Sequence, residues 1–270
     1  MTTTSRTFAV LAATALTGGA LFAGQATAVE GETPTYSEFK ASTFQDADRT
    51  FIVNGDEPVS HEGDLHKFYD SMVAPKGGME DGLIVNTSNG VDTKWSASQA
   101  LNLTYCVSTK FGADYSRVVS AMTAGVGQWE AATGKVNYTH VTAQDGNCTT
   151  RNSSVLFSVE PTKTTQYIAR AFFPNTPKSG RNVLVNARSL YSSGSWTPSN
   201  IMAHELGHTL GFRHEHTRPE AGTCFEDNNW RPLTAYDRAS IMHYPQCNGS
   251  STDLSMTETD RVGVRALYGS

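Results

Sequence analysis

The sequence predicts an α+β fold, a mixed sheet carrying helices, on three observations. Several short runs between Ala100 and Val185 alternate apolar and polar residues. One long stretch, Asp114 to Thr133, repeats its apolar residues at helical spacing. A second helix announces itself at Thr197-Pro198, where a capping hydroxyl precedes a proline suited to the first turn.

The elements follow in chain order. Arg6 and the uncharged, mostly apolar run Phe8 to Phe22 lead to Ala26-Thr27-Ala28, the pattern of an export signal cut after Ala28. Residues 1–28 are therefore expected to be a signal peptide rather than a membrane anchor. Residues 29–92 hold no cysteine and many acids, and include the turn-rich stretches Ala74-Pro75-Lys76-Gly77-Gly78 and Asn86-Thr87-Ser88-Asn89-Gly90. They read as a prosegment or N-terminal arm with one short strand at Thr50 to Val53, and residues 93–270 as the main domain. There Leu101, Leu103, Tyr105 and Val107 alternate along a strand spanning Ala100 to Val107. The helix from Asp114 presents Val118, Met122, Val126 and Trp129 on one face. Asp114 is placed to cap it and Gly134 to end it. Val136 to Val141, Val155 to Val159, Ile168 to Phe173 and Val183 to Val185 read as further strands. The helix starting at Pro198 should run to Leu210, and a last one from Glu258 to Leu267.

Composition narrows the function. A formal net charge of −5 argues against nucleic-acid binding, and no stretch after the signal is long and apolar enough to span a bilayer. No stable membrane association is expected. Four cysteines, Cys106, Cys148, Cys224 and Cys247, are an even set in an exported chain, which suggests two disulfides. Of the three pairings, Cys106–Cys148 and Cys224–Cys247 each stay within one half of the chain and are favoured. A tetrathiolate zinc site is the alternative, but no C-x-x-C spacing supports it.

The chemistry concentrates in His204-Glu205-Leu206-Gly207-His208-Thr209-Leu210-Gly211-Phe212-Arg213-His214. On a helix, residues four apart project from one face, one turn apart, so His204 and His208 can bind one metal ion. Met202, Leu206 and Leu210 fall on roughly the opposite face and should enter the core. Gly211 can take the positive φ that other residues avoid, end the helix, and bring His214 to a third ligand position. Three neutral histidines with one water make the open tetrahedral pattern of catalytic zinc, whereas hard cations prefer oxygen ligands. Zinc lowers the pKa of its bound water towards about 7, and Glu205 is the expected general base that activates it for peptide hydrolysis.

The extended H-E-x-x-H-x-x-G-x-x-H run resembles the signature of the metzincin metallopeptidases. Ser240-Ile241-Met242-His243-Tyr244 resembles the Met-turn of their astacin branch. By that resemblance Met242 forms a hydrophobic base under the histidines, and Tyr244 is a switchable metal ligand that then stabilises the oxyanion. Glu215 and Arg218 also stand where astacins carry Glu and Arg. The core of the motif is similar to the bacterial dual-action HEIGH metallopeptidases across most of the region after Lys94. Leu254 to Gly269 looks like the closing helix of many metzincins. The resemblance implies a metzincin-type zincin fold: a twisted mixed sheet with a long helix packed on it, an active-site helix, and a mostly irregular C-terminal subdomain holding the Met-turn and the final helix. The cysteines depart from the astacin arrangement, because Cys224 and Cys247 bracket the Met-turn.

Phe51-Ile52-Val53-Asn54-Gly55-Asp56 resembles the astacin prosegment motif in which an aspartate occupies the zinc, although one more residue separates Phe51 from Gly55. Asn-Gly-Asp is also ordinary turn chemistry. The expectation is a secreted, extracellular, monomeric zinc endopeptidase that binds protein or peptide substrate as an extended strand. Ile168 to Phe173 is the candidate edge and Pro174 its stop. Competing readings are a gluzincin with Glu226 as third ligand, a snapalysin type with Asp in place of the third histidine, and a secreted zinc-binding module without catalysis. Gly211, His214 and the Met-turn argue against the first two, and Glu205 against the third. His61, His66, His140, His216 and His243 are expected to play surface or structural parts.

Overall fold

A computed structural model describes residues 33–73 and 83–270; the signal-peptide reading and the Ala74–Gly78 loop lie outside the described residues. In chain order the elements are α1 (Tyr36–Ser42), β1 (Phe44–Gln45), β2 (Phe51–Val53), β3 (Glu57–Val59), α2 (Glu62–Val73), β4 (Ile84–Ser88) and β5 (Val91–Asp92). There follow α3 (Ala97–Ala100), β6 (Leu103–Val107), α4 (Tyr115–Ala132), β7 (Tyr138–His140), β8 (Phe157–Pro161), β9 (Ala169–Arg170), β10 (Asn182–Val185), α5 (Ala187–Leu190), α6 (Pro198–Thr209), β11 (Trp230–Pro232) and α7 (Glu258–Tyr268).

The principal sheet has the order β7-β6-β8-β10-β9. Four strands run parallel and β9 lies antiparallel at the edge, its Arg170 opposite Leu184 and its Ala169 opposite Val185. The α+β class is therefore as read. The expected edge segment is at an edge, but only two of its residues pair as strand. The apolar residues that marked the strands and α4 meet in one core: Val107, Phe157, Val159 and Val183 from the sheet, Val118, Met122 and Trp129 from α4, and Met202, Leu206 and Leu210 from α6 and its end. Polar tips of core aromatics tie α6 in place. The indole of Trp129 donates to the carbonyl of Ala203 at 2.7 Å, and that of Trp95 to the carbonyl of Thr209 at 2.7 Å. Such buried donors need partners, and the helix backbone supplies them.

Two expected caps differ. Asp114 ends a 3₁₀ turn (Thr109–Asp114) with helical backbone, makes no capping bond, and pairs its carboxylate with Arg117 at 3.1 Å. The C-terminal cap is Thr133 in extended conformation, not Gly134. The strand expected from Ala100 starts later because Ser96 and Gln99 form a reciprocal capping box that commits Ala97–Ala100 to a short helix. Thr197 does cap α6, accepting from the backbone N–H of Asn200.

Residues 83–92, assigned to the arm on composition, pack into the larger body. Leu83 and Val85 are members of its core. β4 pairs with β5 and β11, and also runs against the end of the histidine motif. There Asn86 N–H donates to Gly211 O at 2.7 Å and Arg213 N–H to Ile84 O at 3.0 Å. The apolar triplet Leu83-Ile84-Val85 was masked in the sequence by the polar turn that follows it. Residues 33–73 make a second, smaller body: the β1-β2-β3 antiparallel sheet with α1 and α2 around Phe51, Val53 and Leu65.

The two disulfides are Cys106–Cys148 and Cys224–Cys247, as favoured from the sequence, each with a Cα separation of 5.6 Å. Among the described residues no helix is long and apolar enough to cross a membrane.

Candidate metal centre

His204 and His208 project from one face of α6, and their ring centroids are 5.0 Å apart. Gly211 then turns the chain at φ +100°. A Cβ there would collide with the carbonyl oxygen of Thr93, so both the backbone angle and the space demand glycine. Three residues on, His214 stacks 5.2 Å from His204.

Each imidazole has one nitrogen committed. Nδ1 of His204 donates to Ile241 O at 2.7 Å, Nδ1 of His208 to Phe212 O at 2.9 Å, and Nδ1 of His214 to the Glu226 carboxylate at 2.6 Å. A carbonyl can only accept, so the proton sits on Nδ1 of His204 and His208 and the lone pair on Nε2. The three Nε2 atoms converge with the carboxylate of Asp56, and these four buried side chains could together hold one metal ion. Asp56 Oδ2 is 3.3 Å from Nε2 of both His204 and His214, its Oδ1 is 3.6 Å from that of His208, and the two histidine Nε2 atoms are 3.3 Å apart. Nε2 of His208 and Oδ1 of Asp56 have no hydrogen-bond partner although buried. A tetrahedral ion with bonds of about 2.0–2.1 Å sets its ligand atoms about 3.3–3.4 Å apart. The spacing and the orphaned atoms both suit such an ion.

Glu205, the residue after the first histidine, is 3% exposed, with Oε2 buried and unpartnered. Burial first, then the neighbouring charge of Asp56, push its carboxyl well above the usual carboxylate range. Burial holds the His208 imidazole down at about 4, so it is a neutral ring. At His214 burial works the same way, but the carboxylates of Asp56 and Glu226 outweigh it and raise the ring well above its ordinary value.

Met242 is fully buried beneath α6, where a Cβ at Gly207 would meet its sulfur at 2.5 Å. The Met-turn reaches the site through Ile241 O, which accepts from His204. The ring of Tyr244 lies 4.6 Å from that of His214 and 5.3 Å from that of His204, and its hydroxyl donates to Asp56 Oδ2. Glu226 stands behind His214, not at the convergence point; it also accepts from His216 at 3.2 Å and from Arg213 at 3.1 Å. His243 pairs with the Tyr236 hydroxyl at 2.8 Å and His140 with Asp145 at 3.0 Å, while His66 stacks on Tyr36 near the surface.

Asp56 arrives on the turn between β2 and β3, where Asn54 and Gly55 both have left-handed backbone, φ 56° and 96°. Two neighbours from the same small body had no signal in the sequence. Glu57 is buried and accepts from Arg213 at 3.1 Å, in a cluster completed by Glu226 and Asp227. Asp46 accepts from Arg170 at 3.1 Å and from the Tyr167 hydroxyl at 2.7 Å. Every residue from Ile201 to Thr209 is buried, because the small body covers the ligand side of α6.

The dual-action HEIGH metallopeptidase family model matches residues 83–268, more than half of the chain. The chain is also 36% identical over 91 residues to Tolloid-like protein 2 of Mus musculus and of Homo sapiens, a match covering 26% of this chain and 9% of each relative. A bone morphogenetic protein 1 homolog of Strongylocentrotus purpuratus is 40% identical over 63 residues, covering 16% of this chain and 10% of that protein. Its converging imidazoles, its Met-turn and these matches agree: the chain belongs to the dual-action HEIGH metallopeptidase family and is a metzincin.

Proposed function

We propose that the protein is a secreted endopeptidase, held latent by its own N-terminal segment, with zinc bound by His204, His208 and His214. The observation that carries this is the convergence of three imidazole nitrogens and the Asp56 carboxylate at separations suited to one tetrahedral ion. Three imidazoles with a position that a carboxylate can occupy or vacate match catalytic zinc, and soft or oxygen-preferring ions suit the set less well. Zinc, when bound there, supplies a Lewis acid that polarises the scissile carbonyl and makes a coordinated water acidic near pH 7.

The rest is the work of the chain. The carbonyls of Ile241 and Phe212 and the carboxylate of Glu226 fix the three rings so that Nε2 faces inward. Glu205 takes the proton of the attacking water and delivers it to the leaving amine. Tyr244 donates its hydroxyl proton to the oxyanion once Asp56 no longer accepts it. The substrate chain lies extended along β9 at the sheet edge. Asp56 stands where the attacking water would have to bind, takes the hydroxyl of Tyr244, and adds its charge to the burial that pushes the Glu205 carboxyl up. Removing it restores all three at once.

Residues 1–28 are then the signal peptide and the inhibitory segment follows. Since residues 83–92 are built into the catalytic body, the segment ends between 73 and 83. An oxidising, extracellular destination accords with the two disulfides.

Casein hydrolysis before and after removal of the segment, with and without a chelator, tests the reading. Processed wild type is expected to be active and chelator-sensitive, and Glu205→Ala to retain zinc but lose turnover. Asp56→Ala should be active with its segment still attached. A processed, zinc-loaded protein that cleaves no unfolded protein would make the site a binding module. Unchanged latency in Asp56→Ala would remove Asp56 as the block.

A further inference from the structure

Arg170 lies on the edge strand β9 and is 1% exposed. A guanidinium so buried needs carboxylate partners, because an unpaired buried charge is costly. Among the described residues both carboxylates within salt-bridge distance come from the N-terminal segment: Asp46, 3.1 Å from Nε, and Asp48, 3.6 Å from Nη2. Among the described residues the catalytic body places no carboxylate in salt-bridge contact with Arg170, and Glu205 feels its charge only at longer range. The Asn182 amide oxygen accepts from Nη1 at 3.2 Å, and the Tyr167 hydroxyl donates to Asp46 Oδ2 at 2.7 Å. One aspartate oxygen is thus clasped by a charged donor and a phenol, both on the catalytic body and both built into or beside the strand along which substrate is proposed to lie. In the same segment, ten residues on, Asp56 reaches the histidines.

We propose that Arg170 and Tyr167, with Asn182 orienting the guanidinium, form a subsite for an acidic side chain of the substrate, which Asp46 fills while the segment is in place. The inference rests on the peptidase reading above. It makes the protein an endopeptidase selective for sequences with Asp or Glu at one position along β9. Departure of the segment removes both of Arg170's carboxylate partners, and an acidic substrate residue restores what was lost; a neutral one leaves the guanidinium unpaired. Discrimination of this kind, where a buried polar group is either met or orphaned, is stronger than discrimination by size.

Two measurements on the processed form decide it. In the first, peptides carrying Asp or Glu in turn at each position are compared with their Asn or Gln counterparts. Wild type is expected to show at least a tenfold advantage in kcat/KM for the carboxylate at one position. Arg170→Gln should reduce that ratio to within twofold while still cleaving the neutral peptide, and Tyr167→Phe should reduce it less. The second needs no turnover: calorimetric binding of a synthetic peptide spanning residues 44–59 of this chain. Asp46→Asn in the peptide should weaken binding about tenfold to wild type and hardly at all to Arg170→Gln. Equal binding of the two peptides to wild type, or a carboxylate preference that survives both Arg170→Gln and Tyr167→Phe, overturns the subsite. A processed protein without activity sinks the peptidase reading alone, and the binding comparison still decides the role of Arg170. Asp56→Ala in the same peptide reports separately on the block at the metal.

Discussion

Gly211 does as much for the centre as any of the side chains it brings together. Its φ of +100° strains any other residue, and a Cβ there runs into Thr93 O, just past the end of β5. Gly211→Ala is expected to cost about 1–3 kcal/mol through the backbone alone. The displaced His214 should also cost metal, so the variant should unfold at lower denaturant and bind less than one zinc per chain. A fully loaded, equally stable variant would show that the turn tolerates a side chain. Tyr244→Phe probes the other end of the site. Losing one oxyanion donor is expected to lower kcat by about 10²–10³, with KM nearly unchanged; a KM effect alone would make Tyr244 a binding residue. The ligand run was legible because its residues are local: one helix and one glycine turn fix all three histidines. The contacts of Asp46 with Arg170 and of Glu57 with Arg213 were not, since the partners lie 124 and 156 residues apart in the chain. No periodicity or spacing rule reaches that far. An arginine inside the otherwise apolar run Ala169 to Phe172 was the one local oddity that could have drawn attention.

At the scale of elements, helical and strand periodicity located α4, α6, α7 and the sheet, because each buries one face in a common core. Caps and boundaries were less legible, since they depend on which neighbour takes the free amides. The 3₁₀ turn before α4 left Asp114 nothing to cap. α7 shows how one cap can serve a distant element. Its N3 residue Asp260 closes a reciprocal capping box with Thr257, and the same carboxylate accepts from Ser240 Oγ and from Ile241 N–H. The final helix therefore holds the Met-turn, and the Met-turn holds His204 through Ile241 O. Asp260→Ala removes the cap and leaves buried donors unpaired, at an expected cost of about 2–4 kcal/mol. Chemical denaturation reads the loss. Because the chain of bonds ends on a ligand, the same variant should release zinc to a competing chelator faster than wild type does. A destabilised protein with unaltered zinc release would show that His204 is held without the Met-turn.

Among the described residues the two bodies meet at three buried acidic contacts, Asp56 at the histidines, Glu57 at Arg213 and Asp46 at Arg170, and at a more exposed one where Asn229 donates to Ser71 Oγ at 2.9 Å. Each acid is 9% exposed or less. The smaller body keeps its own shape around Phe51, Val53 and Leu65, so it can present the three acids together instead of one at a time. A single break in the connection should therefore not activate the protein. With a specific protease site introduced between residues 73 and 83 and cut, the segment is expected to co-elute with the catalytic body in gel filtration, and latency to persist. Salt should change little. The Debye length falls to about 3 Å at 1 M, which screens surface charges but reaches buried pairs far less. Asp46→Asn with Asp56→Ala removes two of the three acidic contacts, and in that variant the same cut should let the segment elute apart from the catalytic body. The order of events follows from this: the connection opens first, and the activating step is a later one that dismantles the small body or pulls it away. If the cut wild-type chain separated at once and became active, the link between the bodies, and not the acidic contacts, would be what maintains latency.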